Sequence, residues 1–483
     1  MKVKNVILVT ALFIAMFFSC TANGQGVYML GDHSPSLAYS SLSRTYRSVY
    51  LNYGSPFLGG VEINLWGNIY NGIGFLIGGV DDHSSPALAF DNVNDRFFMV
   101  WTRAWPYLDL YGLLMDYNSG EFLDPDQFLI SSVPGIRAKP MVTRNSVNGG
   151  YLVTWLDERN IDGVAIYGQL ITVDGELQGV EFMIASGLSW EYSDPSYSVA
   201  YDHVNQRFLV VWNTGEFIYG QFIDPNGGAL EGEKFTIVEE PPDDYYPLGQ
   251  TSLAYDGINQ RYLVVWDVLL GTGSTFGQLV SANGTLVGTV FSISTWWSRN
   301  PSVAFDNINQ RFLVAWTCCI TDGQFVNADG TLQGERLPIS HKGLWCSDDP
   351  PPAIAFNPQC GNFLVASVAK DNSEIKEIWA TQSEINYTIV GDPCPAATMS
   401  VKKKGFRARK SGISSSSVAC IKNKCTGKYL LGEVVSISAS PGDNGMVGSW
   451  TGCDTVTNDI CSITMDGDRE VTVKFVRVPK GSR

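Results

Sequence analysis

The chain repeats itself, and this repetition constrains its fold more than any other feature. One segment recurs as PALAFDNVNDRFFMVW from Pro86, TSLAYDGINQRYLVVW from Thr251 and PSVAFDNINQRFLVAW from Pro301. Periods of 40 to 50 residues are typical of solenoids and propellers. Seven copies, spaced by 51, 54, 57, 54, 50 and 51 residues, are each anchored on one small residue: Ala38, Ala89, Thr143, Ala200, Ala254, Ala304 and Ala355.

Each copy contains four short runs in which apolar residues alternate with polar ones, the period of β-strands. The first two runs resemble SVAY and RFLVVW, the third reads Tyr-Gly-Gln or Phe-Gly-Gln in copies three to five, and the fourth is Phe-x-Ile in copies one to five. The composition agrees, since 17% charged residues, 12% aromatic residues and 49 Gly favour a turn-rich all-β chain over a helical bundle. We therefore predict a seven-bladed β-propeller of four-stranded antiparallel blades over residues 25–392.

The two ends of the repeat predict how the ring closes. The seventh copy has a candidate third strand near residues 379–382, but no Phe-x-Ile follows it in phase. Residues 27–30 read Val-Tyr-Met-Leu just ahead of the first copy. We expect this N-terminal segment to supply the outer strand of the last blade, which removes an unpaired edge. Residues 386–390 are the alternative.

Between its first two strands, the repeat carries an Asp-x-x-Asn pattern, as at Asp91 and Asn94 or at Asp202 and Asn205. Asp and Asn side chains hydrogen-bond nearby backbone groups, so we interpret the pattern as turn chemistry, with a calcium site as the alternative. No other cofactor is indicated. The tryptophan that ends the second strand is expected to pack between blades.

The N-terminus has the order of a secretory signal peptide over residues 1–24, with two lysines, an apolar run and small residues. Cys20 leaves a lipoprotein reading open. No later apolar run is long enough for a membrane helix. We therefore expect a secreted or cell-surface protein in which cysteines pair. A Cys319–Cys346 bridge would join two loops of one face, whereas the pairing of Cys318, Cys360 and Cys394 stays open.

The loops after strands two and four share one face of such a propeller, and ligand-binding residues concentrate on loops of this kind. They combine aromatic rings with carboxylates, which suits a sugar or a cationic peptide. A net charge of −15 disfavours nucleic acid as a partner. The candidate ligand-binding residues are Trp190, Tyr192, Tyr245, Tyr246, Trp296, Trp297, Trp345, Asp157 and Glu158.

The composition changes near residue 393. Residues 401–483 contain 14 Lys+Arg and 7 Asp+Glu, a net charge of +7, which leaves −22 for residues 1–400. Such asymmetry marks a domain boundary. We expect a basic linker or first strand at residues 393–410 and a second domain at residues 411–483.

This second domain resembles the bacterial extracellular repeat domain related to internalin-type B repeats. The resemblance rests on Cys-x4-Cys from Cys420, Tyr-x2-Gly from Tyr429, Trp-x-Gly-Cys from Trp450 and Cys-x3-Met from Cys461. It implies a small β-grasp-like domain without catalysis, stapled by Cys420–Cys425 and Cys453–Cys461. The propeller copies are similar to repeats of bacterial secreted propellers, which implies an architecture and no substrate.

These observations favour an exported, monomeric binding or adhesion protein whose loop face takes a glycan or an extracellular protein. A carbohydrate-active hydrolase or lyase that uses carboxylates of the loop face is the second reading. A structural envelope component is the third. The sequence contains no nucleophile elbow, zinc-protease motif or phosphate-binding loop that would indicate another enzyme class.

Overall fold

The computed structural model describes residues 27–477 with gaps at 30–34, 53–56, 66, 79–85, 104–107, 117–126, 161–162, 189–194, 240–247, 269–272, 296–297, 319, 341–349, 371–382, 392–395, 406–411, 415–418, 422–423, 431–432 and 441–444. Within this part of the chain, all regular secondary structure is β-strand. The predicted signal peptide lies outside the described residues. No helix among them is long and apolar enough to cross a bilayer.

The first strand, β1 (Val27–Met29), pairs with a strand 356 residues later and is described with it below. The next twelve strands form three antiparallel sheets of four consecutive strands. Sheet 1 contains β2 (Ser36–Ser40), β3 (Thr45–Asn52), β4 (Phe57–Asn64) and β5 (Ile69–Gly78); sheet 2 contains β6 (Ala87–Asp91), β7 (Arg96–Arg103), β8 (Asp109–Asp116) and β9 (Phe128–Ser131); sheet 3 contains β10 (Arg137–Arg144), β11 (Tyr151–Asp157), β12 (Val164–Ile171) and β13 (Leu177–Leu188).

Three further sheets repeat this arrangement. Sheet 4 contains β14 (Tyr197–Asp202), β15 (Arg207–Asn213), β16 (Ile218–Ile223) and β17 (Leu230–Val238); sheet 5 contains β18 (Leu248–Asp256), β19 (Arg261–Val268), β20 (Ser274–Ser281) and β21 (Leu286–Ser294); sheet 6 contains β22 (Arg299–Asp306), β23 (Arg311–Cys318), β24 (Ile320–Asn327) and β25 (Leu332–Ser340).

Sheet 7 joins the two ends of the repeat. It contains β26 (Ala353–Asn357), β27 (Asn362–Lys370) and β28 (Ser383–Val390), with β1 as its outer strand. Val27 lies opposite Ile385, so the prediction that the N-terminal segment closes the ring is confirmed. The predicted third strand was misplaced: it is β28 rather than residues 379–382, which lie outside the described residues. Tyr387 and Thr388 stand where copies three to six have Gly-Gln, so the sequence signal was lost.

The first strands of the sheets form a closed circuit. Each first strand contacts the first strand of the next sheet, and β26 contacts β2. Antiparallel four-stranded sheets that radiate from such a circuit form a β-propeller. The predicted all-β propeller fold is therefore present.

The Asp-x-x-Asn turns are held by their own side chains. In sheet 4, Asp202 Oδ1 accepts hydrogen bonds from the backbone N–H groups of Val204 at 3.0 Å and Asn205 at 2.9 Å. Asp202 Oδ2 accepts a third from Asn205 Nδ2 at 2.8 Å. Gln206 then adopts a φ of 54°, which the turn requires. Because the carboxylate is fully buried and bonded within its turn, the arrangement agrees with turn chemistry.

In several sheets, the arginine that begins the second strand, directly after the Asp-x-x-Asn turn, contacts the neighbouring sheet. Arg207 of sheet 4 lies 3.9 Å above the Phe222 ring and donates to the carbonyl of Ala282 in sheet 5. Arg261 of sheet 5 donates to the carbonyl of Ala328 in sheet 6 at 3.2 Å. These contacts add polar links between sheets whose main contact is apolar.

The apolar core lies between sheets. The tryptophans that end the second strands are at most 2% exposed, so their predicted packing role is confirmed: Trp101, Trp155, Trp212, Trp266 and Trp316. Leu263 and Val265 of sheet 5, for example, share one cluster with Phe312 and Trp316 of sheet 6. Each tryptophan therefore fills the wedge between two blades.

The last nine strands, here called the C-terminal sheets, form a five-stranded and a four-stranded sheet. The larger sheet has the order β31-β32-β29-β37-β34, with β29 and β37 parallel, and the smaller has the order β30-β33-β36-β35. Their bounds are β29 (Ala396–Gly405), β30 (Gly412–Ser414), β31 (Ala419–Ile421), β32 (Lys424–Leu430), β33 (Val434–Ser440), β34 (Gly445–Thr451), β35 (Thr455–Thr457), β36 (Ile460–Thr464) and β37 (Arg469–Arg477).

The C-terminal sheets share one core, in which Met399 and Val471 of the larger sheet meet Ile437 and Ile463 of the smaller. A disulfide joins Cys453 to Cys461, the pairing implied by the resemblance. Cys425 is also disulfide-bonded, and strand pairing places Cys420 directly opposite it. Residues 396–405 form a strand, so the predicted basic segment is a first strand in this part rather than only a linker.

Candidate functional site

Most of the candidate ligand-binding side chains lie outside the described residues, and their role stays a prediction. These are Trp190, Tyr192, Tyr245, Tyr246, Trp296, Trp297 and Trp345. The proposed Cys319–Cys346 bridge also falls there. Asp157 and Glu158 are described, at the end of β11.

Asp157 is fully buried. Its Oδ2 accepts a hydrogen bond from the Trp155 indole Nε1 at 2.7 Å, and its Oδ1 accepts from Arg159 Nε at 2.9 Å. Burial alone would raise the pKa of Asp157, but the hydrogen bonds from Arg159 and Trp155 outweigh it and hold the pKa below its ordinary value. Asp157 is thus an ionised carboxylate that orients neighbouring side chains.

Asp157 belongs to an ion cluster on sheet 3. Arg159 also pairs with Glu181 and lies 4.1 Å above the Tyr167 ring. The fully buried Arg137 lies 3.7 Å from Asp157 and donates to Ser131 Oγ at 3.1 Å. Burial lowers the pKa of Arg137, although Asp157 opposes this effect. The cluster is bonded mainly to itself, which favours a positioning role.

Glu158 is more accessible than Asp157. Its side chain is partly exposed, and its backbone N–H donates to the carbonyl of Ile136 at 3.0 Å. Of the two candidate carboxylates, Glu158 is therefore the one that can meet a ligand at the surface. Its predicted ligand-binding role is untested.

A cavity of about 500 Å³ lies between sheets 5 and 6. This volume falls in the range of small-ligand sites. Thr295, which lines it, directly precedes Trp296 and Trp297, two candidate ligand-binding residues that lie outside the described residues. Its polar and aromatic lining includes Ser292, Ser294, Thr295, Trp316, Gln324 and Arg336.

One substitution in the repeat distinguishes sheet 6 at this place. On the third strands of sheets 2 to 5, the residue opposite the buried tryptophan is aromatic, as with Tyr219 opposite Trp212. In sheet 6, Asp322 lies opposite Trp316. Asp322 is 4% exposed, and its Oδ2 lies 3.5 Å from Nη1 of Arg336, whose side chain is 58% exposed. A carboxylate and its counter-ion thus replace an aromatic ring.

The lining of the cavity carries groups of the kind that hydrogen-bond to a polyhydroxylated ligand. Ser292 and Thr295 supply hydroxyl groups, which donate and accept hydrogen bonds, while Arg336 supplies donors. The Trp316 side chain borders the cavity but is only 1% exposed, so its ring offers almost no surface to a sugar. Because Asp322 balances the charge of Arg336, this pair adds no net charge. The described residues contain no group of three or more His, Cys, Asp or Glu placed to hold a metal ion.

Sequence reasoning missed this cavity. The signal was present, since the third strand of the sixth copy reads Thr-Asp-Gly-Gln where copies three to five have Tyr or Phe before Gly-Gln. Among the five sheets whose second strand ends in the tryptophan, only this one lacks an aromatic residue opposite it, which marks an interface that is packed differently. The sequence gives no comparable indication for Arg336, because only the pairing of the third and fourth strands of sheet 6 brings it beside Asp322.

Comparison with known proteins does not assign a function to this chain. No protein-family model matches the chain, and no curated protein matches it. The resemblance of the C-terminal sheets to bacterial extracellular repeats therefore stays a prediction.

Among solved structures, the chain is similar to hydrazine synthase of Kuenenia stuttgartiensis, at 11% identity over 72% of this chain and 96% of the other, with a TM-score of 0.47. It is similar to the fucose-specific lectin of Aleuria aurantia at 10% identity over 65% and 98%, with a TM-score of 0.40. The WD40 domain of Toxoplasma gondii coronin matches at 11% identity over 75% and 84%, with a TM-score of 0.45. At these values the likenesses carry no argument, so the fold assignment rests on the chain's own sheets.

Proposed function

We propose that this protein is an exported binding protein whose propeller takes a carbohydrate in the cavity between sheets 5 and 6. The observation that carries the proposal is the replacement of an interface aromatic by the Asp322–Arg336 pair beside a cavity of about 500 Å³. Vicinal hydroxyls of a sugar match an adjacent donor and acceptor of this kind. Trp296 and Trp297, which the sequence analysis predicts to bind ligand, would extend the same site on the loop face.

Binding is favoured over glycoside cleavage. Cleavage of a glycosidic bond by the usual route needs two carboxyl groups about 5 to 10 Å apart. Among the described residues that line the cavity or contact its lining, Asp322 is paired with Arg336 rather than with a second carboxyl group. The hydrolase or lyase reading would need a carboxylate from the neighbouring loops.

Export is part of the proposal. The Cys453–Cys461 disulfide fits an oxidising compartment, as the signal-peptide pattern at residues 1–24 does. In this reading, the seven sheets are the seven blades of one propeller, and the C-terminal sheets are a separate, disulfide-stapled repeat domain that serves as a spacer or attachment module. Lipidation at Cys20 would make the protein a surface lipoprotein.

A glycan array with the mature protein, residues 25–483, tests the proposal. For a bound glycan, Arg336→Ala should weaken affinity at least tenfold, because a hydrogen bond to a charged group contributes about 1.5 to 3 kcal/mol. Lys234→Ala is the matched control, since Lys234 occupies the same position in sheet 4 but lies 4.3 Å above the Tyr219 ring. A Trp296→Ala/Trp297→Ala variant tests the loop-face part of the site.

Two results would overturn the proposal. Silence across the array would shift the assignment to a protein ligand or a structural role. Equal affinity loss in the Arg336 and Lys234 variants would place the binding site elsewhere on the propeller.

A further inference from the structure

The larger of the two C-terminal sheets has one buried face and one open face. The buried face packs against the smaller sheet and contributes Val401, Cys425 and Val471 to the shared core. Because side chains alternate along a strand, the positions between these residues belong to the opposite face. Thr426 and Lys474 are exposed there. This second face is therefore open to solvent.

Lysines are concentrated on the open face. Lys402 lies opposite Lys424 in the antiparallel pairing of β29 with β32. Lys404 lies opposite Lys474 in the parallel pairing of β29 with β37. Neighbouring strands are about 4.8 Å apart, so the four positions form one group across three adjacent strands. These four residues are here called the lysine cluster.

The fold gives no reason for the lysine cluster. Like charges directly opposite each other on two strands lower stability, and the cluster contains two such pairs. Glu470 offsets part of the charge, since its Oε2 accepts a hydrogen bond from Lys402 Nζ at 2.6 Å. Among the positions of β32, β29 and β37 on this face, Glu470 is the only acidic residue. Local choices that work against stability are typical of functional surfaces.

The neighbours of the cluster indicate the class of ligand. Ser400, Thr426 and Thr472 hold positions next to the lysines on the same face. Their hydroxyl groups donate and accept hydrogen bonds, as the hydroxyl groups of a sugar do. The strand spacing of about 4.8 Å is comparable to the length of one sugar unit, so lysines on successive strands can meet acidic groups on successive units. Positive charge and hydroxyl groups together suit an acidic sugar polymer.

We propose that the lysine cluster binds a linear acidic polysaccharide, whose carboxylate groups pair with the lysine ammonium groups. The inference rests on the attachment role proposed for the C-terminal sheets and gives that role a ligand class. The negative net charge of the whole chain does not exclude such a ligand, because salt screens exposed charges beyond about 8 to 10 Å. The cavity between sheets 5 and 6 is a different site and stays available for its own ligand.

Biolayer interferometry of the mature protein, residues 25–483, on immobilised alginate and on uncharged dextran tests this inference. The protein should bind alginate but not dextran, and added salt should weaken the binding. Lys424→Gln/Lys474→Gln should raise the dissociation constant for alginate at least tenfold. Lys234→Gln is the control, because Lys234 is an exposed lysine on the outer strand β17 of the propeller.

Two further measurements separate binding from folding. Glu470→Gln should strengthen alginate binding about threefold, since it removes the acidic residue beside Lys402. Lys424→Gln/Lys474→Gln should leave the midpoint of urea unfolding unchanged or raise it, because it removes both pairs of like charges. A large drop of this midpoint would contradict the inference by giving the lysines a structural role.

Several results would overturn the inference. These are equal binding to alginate and dextran, no alginate binding even at low salt, or an equal loss in Lys234→Gln. Binding to phosphatidylglycerol vesicles without binding to alginate would replace the polymer by a membrane surface. Loss of alginate binding in Arg336→Ala would place the polymer in the propeller cavity, whereas unchanged binding in that variant keeps the two sites and their tests distinct.

Discussion

Sheet 4 and the junction of sheets 5 and 6 are built from the same repeat but carry different polar residues at equivalent positions. In sheet 4, Tyr219 packs beside Trp212, and Asn213 donates through its amide to the neighbouring Gly249 carbonyl. In sheet 6, Asp322 replaces the aromatic residue, and in sheet 5, Asp267 replaces the asparagine.

The two aspartates have different surroundings. Asp322 lies beside Arg336 and a cavity, so its charge has a partner. Asp267 is fully buried, and burial raises its pKa to about 7, although the backbone N–H groups of Gln250 and Asn300 and the charge of Arg299 oppose this effect. The comparison shows two ways in which an aspartate can be buried between neighbouring sheets. Asp322 is paired with a cation, whereas Asp267 keeps its proton up to a higher pH.

The largest expected effect on stability comes from replacing the buried tryptophan of each interface, Trp212 or Trp316, with alanine. Trp212→Ala should lower the free energy of unfolding by about 3 to 5 kcal/mol, because it empties a filled interface. Trp316→Ala should cost less, since Asp322 lies opposite Trp316 where Tyr219 packs against Trp212, so no ring–ring contact is lost. Urea unfolding followed by fluorescence measures both. Equal losses would mean that the contact between Tyr219 and Trp212 adds no stability.

The next test concerns Asp267 and pH. The unfolded chain releases this proton near pH 4 and the native state only near pH 7, so the native state binds more protons between these values. Stability should therefore fall as pH rises from 4 to 7, by at most about 4 kcal/mol, and then level off. Asp267→Asn should remove this contribution and stabilise the protein at pH 8.

Asparagine should be tolerated at position 267, because Asn213 occupies the equivalent position in sheet 4 and hydrogen-bonds there to the Gly249 carbonyl. Chemical denaturation of wild type and variant at several pH values gives the difference. A stability difference that does not change with pH would show that Asp267 titrates alike in the native and unfolded states.

The smallest effect on stability is expected from Asp322→Tyr, which restores the aromatic residue found in sheets 2 to 5. The new ring should stack on Trp316 and raise stability by about 1 kcal/mol. Arg336 should tolerate it, as Lys234 tolerates Tyr219 at 4.3 Å. The same variant should abolish glycan binding by filling the cavity. Retained binding with higher stability would separate the cavity from the ligand site.

The regular parts of the fold were predictable because each depends on local pattern. The strands, the buried tryptophans and the turns around Asp202 follow from alternation and from short-range hydrogen bonds. The closing strand at Val27 was predictable from what the seventh copy lacked. The third strand of sheet 7 was not, because Tyr387-Thr388 no longer carries the Gly-Gln signature.

The sequence by itself determined the repeat, the strand pattern and the change of charge near residue 393, since these depend on order along the chain. Only the tertiary structure decided that Asp322 meets Arg336 beside a cavity and that Asp157 is enclosed by Arg159 and Trp155. The physical reason is that burial and charge pairing depend on neighbours from other strands and sheets, which a one-dimensional pattern does not specify.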